Sequence, residues 1–309
     1  MSVDGESLDP DVDLAVPAQR AETRTHPLLL PAIALGGVVG ASLRHLLEVW
    51  WPPSAGQLPA ATLITNLVGA LVMGAVMVVV GRYGDRYPLL RPYVGVGVLG
   101  GFTTMSTFAV GTATLAGGGH VGVAIAYGVL TMAGAVAAAG LGWFLAGRVG
   151  ETGPTAGTGA DQGGVRRILG GAALAVVVPG IAMLVGVGPQ AWWVVLGALV
   201  GAPTRYLVDR LVQNWHRTAW PWGTTVINLS GSLLLGILTG AGLPEVWMLA
   251  LGVGFCGSYT TWSTAAFEVT TLWRHDRRRY AITYGLVVPI GCTALALGGL
   301  VLTRTVVGT

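Results

Sequence analysis

A chain of 309 residues with 53% hydrophobic and only 10% charged side chains, and a mean hydropathy of +0.68, lies far outside the composition of a soluble domain and reads as an integral membrane protein. Its net charge of +3 comes from arginines in loops, where a membrane protein needs them for orientation, so it is no argument for nucleic acid. Recurrent apolar runs near 20 residues and 49 glycines favour closely packed helices over a barrel, so the expected fold class is an all-α membrane protein.

Residues 1–27 come first, with six acids and two arginines and without the basic start and apolar core of a signal peptide. They are expected to be a disordered cytoplasmic tail. Residues 28–147 then carry four expected spans, at 28–50, 59–81, 89–116 and 120–146. The third holds a polar Gly and Thr cluster, Gly100 to Thr107, at membrane depth. Unwound backbone survives there only where protein or a water-filled path surrounds it, so a broken helix is expected.

Residues 148–190 combine a low-complexity Gly-rich linker, Gly150 to Gly164, with an uncharged run, Ile168 to Gly188. At ~1.5 Å per residue that run reaches about 31 Å, enough for a bridging helix across the bilayer core. Residues 191–309 carry four more spans, at 191–212, 222–241, 244–272 and 280–303, which brings the expected total to nine. The eighth repeats the polar cluster as Gly257 to Thr264 and is expected to break likewise.

Loop charge gives an independent count. Of the 17 basic residues, all arginine, 14 fall on the amino-terminal side of these spans. The positive-inside rule then places the amino terminus in the cytoplasm and the carboxyl terminus outside. The first four-span unit has its arginines after its second and fourth spans, the second unit after its first and third. That change of phase is the mark of two inverted repeats.

Three blocks recur at offsets of 157 to 162 residues. GGVVGASLRHLLE, from Gly36, is echoed by LGALVGAPTRYLVD, from Leu196, which sets Arg44 opposite Arg205. ATLITNLVGALVMG, from Ala61, is echoed by GTTVINLSGSLLLG, from Gly223, which sets Asn66 opposite Asn228. GGFTTMSTF, from Gly100, is echoed by GSYTTWSTA, from Gly257. A period this long means duplication of a whole unit. Cys256 and Cys292 lie inside expected spans and read as small core residues. The five histidines stand at span ends or in loops, with no acid or nucleophile spacing of a catalytic constellation, so an enzyme is not expected.

These blocks, in this order, resemble the fluoride-channel family known as Fluc or CrcB. Its four-span subunits carry a Gly-rich segment ending in Arg, a second helix with N-x-x-G-s, and a broken third helix reading GG-x-TT-F-ST-F. Single-unit members form antiparallel dimers and eukaryotic relatives fuse two copies through an extra helix, so the resemblance implies a single fused chain equivalent to a dimer.

Residue by residue, the resemblance places Asn66 and Asn228 in the ion path, where a side-chain amide can offer N–H to an anion; their bland alternative is a helix-packing hydrogen bond. It assigns Ser106, Thr107, Ser263 and Thr264, within the broken motif, to the same path, although threonine also tolerates a helix by bonding its own backbone. It implies a central sodium ion, Na+, held by the backbone carbonyls of Gly100, Thr103, Gly257 and Thr260, hard oxygens that suit such a cation. Arg44 and Arg205, near the ends of their spans, either snorkel to the interface as structural groups or attract anions.

The copies diverge where the family places two aromatics in the motif. The first copy has Met105 and Phe108, the second Trp262 and Ala265. Aromatic edges are electropositive and can coordinate an anion. A family track of polar groups on the fourth helix reads Tyr127, Thr131, Ala135 in the first copy and Tyr284, Val288, Cys292 in the second. A family Glu is kept as Glu268 but replaced by Gly111. The expectation is one conducting pore, using Phe108, Trp262, Thr131 and at least one asparagine, with the Met105 and Ala265 side degraded.

The expected function is therefore passive, fluoride-selective export across the plasma membrane. A proton-coupled small-anion transporter and a non-conducting structural membrane protein are the rivals. Coupling usually needs an acid in mid-membrane, and Glu48, Asp209, Glu245 and Glu268 lie mostly near expected span ends.

Overall fold

The computed structural model describes residues 26–84, 86–149, 190–216 and 218–308. The first half forms α1 (Leu29–Trp50), α2 (Ala60–Tyr83), α3 (91–102), α4 (Met105–Gly117) and α5 (Val121–Val149). The second half repeats them as α6 (Ala191–Trp215), α7 (Trp222–Gly240), α8 (245–259), α9 (Ser263–Arg274) and α10 (Arg278–Val307). Among the described residues seven helices, with Arg91–Gly117 taken as one, are long and apolar enough to cross a membrane. Residues 245–274 are the second-half counterpart of that broken helix. The expected tail, the Gly-rich linker and the bridging span at 168–188 lie outside the described residues.

Both expected breaks are present, and each is made of threonine. Thr103 (φ −98°, ψ 151°) and Thr104 (φ −148°, ψ 128°) are extended between α3 and α4, and Thr260 (φ −89°, ψ 160°) ends α8 in the same way. A β-branched residue accepts extended backbone readily, and its hydroxyl replaces the ladder bonds the break removes. A feature not read from the sequence precedes each break: Arg91–Leu99 and Met248–Cys256 wind as π-helices, a form often found next to functional sites.

Close glycine contacts hold these wide segments against the first helix of each half. A Cβ at Gly40 would fall 2.0 Å from the Val98 carbonyl oxygen, and one at Gly201 would fall 2.5 Å from that of Phe255. These are the same contact in the two copies. Gly40→Ala is expected to cost about 1–3 kcal/mol through overpacking, read as a lower thermal midpoint in detergent. Gly81→Ala, on α2 with nothing within 4 Å of its added Cβ, should be neutral or gain up to about 1 kcal/mol from helix propensity. Equal midpoints for the two variants would contradict this packing.

The two halves are interlocked. Along α1 and α6, a Cβ at Gly37 would lie 2.5 Å from that of Ala202. The helices that follow the breaks pack on the opposite half as well as on their own, α4 against α7 and α10, and α9 against α2 and α5. The resulting apolar cluster draws Phe108, Tyr127, Trp262, Tyr284 and Cys292 into one core. Cys256 and Cys292 are both free and buried, as their reading as small core residues requires.

Candidate ion pathway

At the centre of the fold the two breaks face each other and each half caps the other. A helix starting at a break has backbone N–H groups without intrahelical partners. The Ser106 N–H at the start of α4 donates to Thr260 Oγ1 of the second half at 3.2 Å. Reciprocally, the Ser263 N–H at the start of α9 donates to Thr103 Oγ1 at 3.1 Å. Each capping hydroxyl donates in turn to its own preceding helix, Thr103 to the Leu99 carbonyl at 2.9 Å and Thr260 to that of Cys256 at 3.0 Å. The Ser106 and Ser263 hydroxyls lie 3.0 Å from Thr260 and Thr103. Local caps complete the set, since Thr107 N–H donates to Thr104 Oγ1 and Thr264 N–H to Thr261 Oγ1.

The asparagines bind the breaks from the second helix of each copy. Asn66 Oδ1 accepts the Thr104 N–H at 3.0 Å while its Nδ2 donates to the Thr104 carbonyl at 3.2 Å. Asn228 makes the same two bonds to Thr261, at 2.9 and 3.0 Å. Both side chains are fully buried. Each carboxamide thus replaces a missing backbone partner, and the pairing uses one of its two N–H donors.

Neither arginine snorkels. Arg44 and Arg205 are both completely buried, because each guanidinium crosses to the other half. Arg44 donates to the Val253 carbonyl at 2.7 Å, to its own half's Gly101 carbonyl at 3.2 Å, and to Glu48 at 3.1 Å. Arg205 donates to the Val96 carbonyl, the counterpart of Val253. The planar fork can serve several carbonyls freed by the π-winding, and this holds it inside where a snorkelling side chain would extend to the interface.

Of the expected aromatic residues, Phe108 lies with its ring centroid 4.4 Å from Trp262 and 5.0 Å from Tyr127. One wall of this group comes from each half. Met105 and Ala265 share a cavity of about 20 Å³ with Tyr284, Val288 and Trp262, so Trp262 borders both groups. Thr131 is buried beneath Tyr127, and its hydroxyl donates to the Tyr127 carbonyl at 2.7 Å, so its proton is engaged with its own helix. Thr107 lines two cavities that also reach Thr62, whereas Thr264 is fully buried.

Sequence reasoning missed Thr62 and Thr224. Thr224 donates to Glu268 at 2.7 Å, and Tyr284 donates to the other carboxylate oxygen at 2.5 Å. Thr62 takes the equivalent place beside Tyr127, where Gly111 stands in for the acid. The available signal was the spacing Thr-x-x-x-Asn, present in both second helices and placing the two polar groups on one face. Among the described residues no group of three or more His, Cys, Asp or Glu could hold a metal ion.

The fold and this centre define a duplicated helical membrane protein whose polar, aromatic-lined core is assembled from both copies. The family described as "CrcB-like protein, Camphor Resistance (CrcB)" matches residues 31–143 and again 192–300, and the chain belongs to it. It is 44% identical over 116 residues to "Fluoride-specific ion channel FluC 2" of Nocardia farcinica, a match covering 38% of this chain and 83% of that protein. It is 39% identical over 135 residues to "Fluoride-specific ion channel FluC 1" of Streptomyces coelicolor, covering 44% of this chain and 88% of that one. A third relative, "Fluoride-specific ion channel FluC 1" of Frankia casuarinae, is 39% identical over 127 residues, 37% of this chain and 96% of its own. No solved structure matches the chain.

Proposed function

We propose that the chain is a fluoride-selective passive anion channel of the plasma membrane. The observation that carries this reading is the presence of two CrcB units in one chain, with an aromatic group built across them from Phe108 and Trp262. Each matched relative is named a fluoride-specific channel and is covered over most of its length by one unit. The chain thus stands for the pair of subunits in one molecule.

Its finer architecture is nine crossings: four in residues 28–147, one in the 148–190 connection and four inverted in 191–309. The amino terminus, with the 1–27 tail, lies in the cytoplasm and the carboxyl terminus outside. The arginine phase supports this, since four crossings followed by one reverse the second unit. Reciprocal bonds such as Arg44 to Val253 and Arg205 to Val96 fit two copies related by a pseudo-two-fold axis.

Fluoride is small and strongly hydrated, so a selective path must replace water with donors and electropositive edges. The second N–H of Asn66 and the edges of Phe108 and Trp262 supply these in one conducting pore, with Tyr127 and Thr131 on its wall. The starts of α4 and α9 add partial positive charge at the centre. An inside-negative potential drives each anion outward by ~2.3 kcal/mol per 100 mV, and no coupling ion is needed.

The residues of the breaks fit a central sodium ion. With ψ of 151° at Thr103 and 160° at Thr260, the backbone at these two positions leaves the helical ladder, which supports a role for their carbonyls beside those of Gly100 and Gly257. Neutral hard oxygens at helix C-termini suit a monovalent cation. Its role there is structural, neutralising the carbonyl ends that the breaks create.

Reconstituted liposomes loaded with fluoride should release it under an imposed potential, with chloride retained, as followed by an ion-selective electrode. Efflux that requires a proton or sodium gradient, or equal chloride release, would overturn this function.

A further inference from the structure

Between the start of α1 and the segment that leads into α3 lies a groove of about 640 Å³, away from the central breaks. That is the size of a small-molecule site, and its walls are nearly all apolar. One wall is Leu28, Pro31, Ala32 and Leu35; the other includes Tyr93 and Val98. The i, i+3, i+4, i+7 spacing of the first four puts them on one helix face and carries the groove about 10 Å along the axis. Both walls belong to membrane-spanning segments. Leu28 and Leu35 are 56% and 59% exposed, so the groove opens toward the lipid.

Charge enters at the span boundary. Arg86, exposed in the connection between α2 and α3, and His26 line the groove there. The Arg86 guanidinium lies 5.8 Å from the centroid of the Tyr87 ring. His26 Nδ1 accepts the Leu28 N–H at 3.2 Å, so the neutral ring carries its proton on Nε2 and can donate it to an anion. Guanidinium is well matched to phosphate, and tyrosines such as Tyr87 favour the headgroup level.

The duplication supplies an internal comparison. By the offsets that pair Arg44 with Arg205 and Gly100 with Gly257, the positions of Pro31, Ala32 and Val98 hold Trp192, Trp193 and Phe255 in the second copy. Each is far larger, and Phe255 stacks on Tyr259 with centroids 5.6 Å apart. Arg86 corresponds to Leu243, and the next charge along the chain is Glu245. The small wall residues and the cation thus occur together in one copy and are lost together in the other.

We infer that this groove binds one anionic phospholipid, with an acyl chain between α1 and α3 and the phosphate at Arg86 and His26. Basic pockets at the ends of membrane helices hold anionic headgroups in this way. The uncharged run Ile168 to Gly188 is preceded by Arg166 and Arg167 and offers Arg86 no counterion, so charge complementarity selects the lipid. The inference stands on the membrane-spanning fold and is independent of what the channel conducts.

Photolabelling tests it. The full-length protein in detergent receives a trace of phosphatidylglycerol or phosphatidylcholine with a diazirine in one acyl chain, and after illumination the digest is read by mass. Phosphatidylglycerol should label residues 28–35 and 89–98 on the order of tenfold more than the equivalent 192–196 and 246–255, and about fivefold more than phosphatidylcholine does. Arg86→Gln should remove the preference between the two lipids. Ala32→Trp, the residue of the second copy, should remove labelling by both. Arg86 is exposed, so its replacement tests the headgroup contact even where Ala32→Trp does not fold. Equal labelling of the two copies would mean ordinary bilayer contact, and equal labelling by the two lipids, or a preference that survives Arg86→Gln, would remove the headgroup site. Labelling absent from both walls would show the groove filled by another part of the chain or by a second copy. Any of these results overturns the inference.

Discussion

Phe108→Leu is expected to lower fluoride efflux from liposomes by on the order of 10- to 100-fold, whereas Met105→Leu changes it less than about twofold. Both side chains are buried in the same core, at 2% and 1% exposure; Met105→Leu nearly conserves volume and should cost under about 1.5 kcal/mol of stability, whereas Phe108→Leu removes part of the ring and its contacts and should cost more. The difference lies in what the rings offer. Phe108 has two aromatic neighbours, Trp262 and Tyr127, and each such contact contributes about 0.5–1.5 kcal/mol beyond area burial. Losing both is about 1–3 kcal/mol of ordering in the aromatic group proposed to line the ion path, and ~1.4 kcal/mol is a factor of ten. Met105 lines an apolar cavity with Ala265 and Trp262 and has no aromatic edge of its own to lose. Equal losses of efflux in the two variants would mean that both sides conduct, and the single-pore reading would fall.

The contrast between these two positions was legible in the sequence because it rests on residue type alone: an aromatic kept or lost at a repeated place. The breaks were legible for a similar reason. Gly and Thr clusters at membrane depth have few structural outlets, and threonine at 103, 104 and 260 takes the extended backbone that ends the helix. What escaped notice depends on the partner chosen across the duplication. Arg44 near the end of its span looks the same in sequence whether it reaches outward to the interface or inward to the Val253 carbonyl, 209 residues away. The π-wound segments 91–99 and 248–256 likewise lie where glycines of α1 and α6 meet their backbone. Helical periodicity carries no trace of such tertiary pressure. Thr62 and Thr224 were hidden by chemistry of low specificity: a threonine four residues before an asparagine becomes informative only once Tyr284 and Glu268 are seen at the same spot.

Arg44→Met should be among the most destabilising single replacements in the protein, costing about 3–5 kcal/mol, the range for removing one partner of a buried ion pair. The arginine is fully buried and its guanidinium serves three acceptors at once: Glu48, Gly101 and, across the duplication, Val253. Methionine fills similar space but leaves the two carbonyls without their donor and Glu48 without its cation. Hydrogen bonds to a charged group are worth about 1.5–3 kcal/mol each, so the carbonyl losses alone approach the lower bound. Lysine should not rescue, since a single ammonium on a flexible stem cannot reproduce the fork that spans both halves. Adding Glu48→Gln to Arg44→Met should recover part of the loss, because the uncompensated carboxylate is then removed. A double-mutant cycle in thermal or denaturant unfolding separates these contributions. Strict additivity of the two replacements would show that the Arg44–Glu48 pair is not coupled. A loss below about 1 kcal/mol for Arg44→Met, the value of an exposed pair, would show that the guanidinium is not what locks the two copies together.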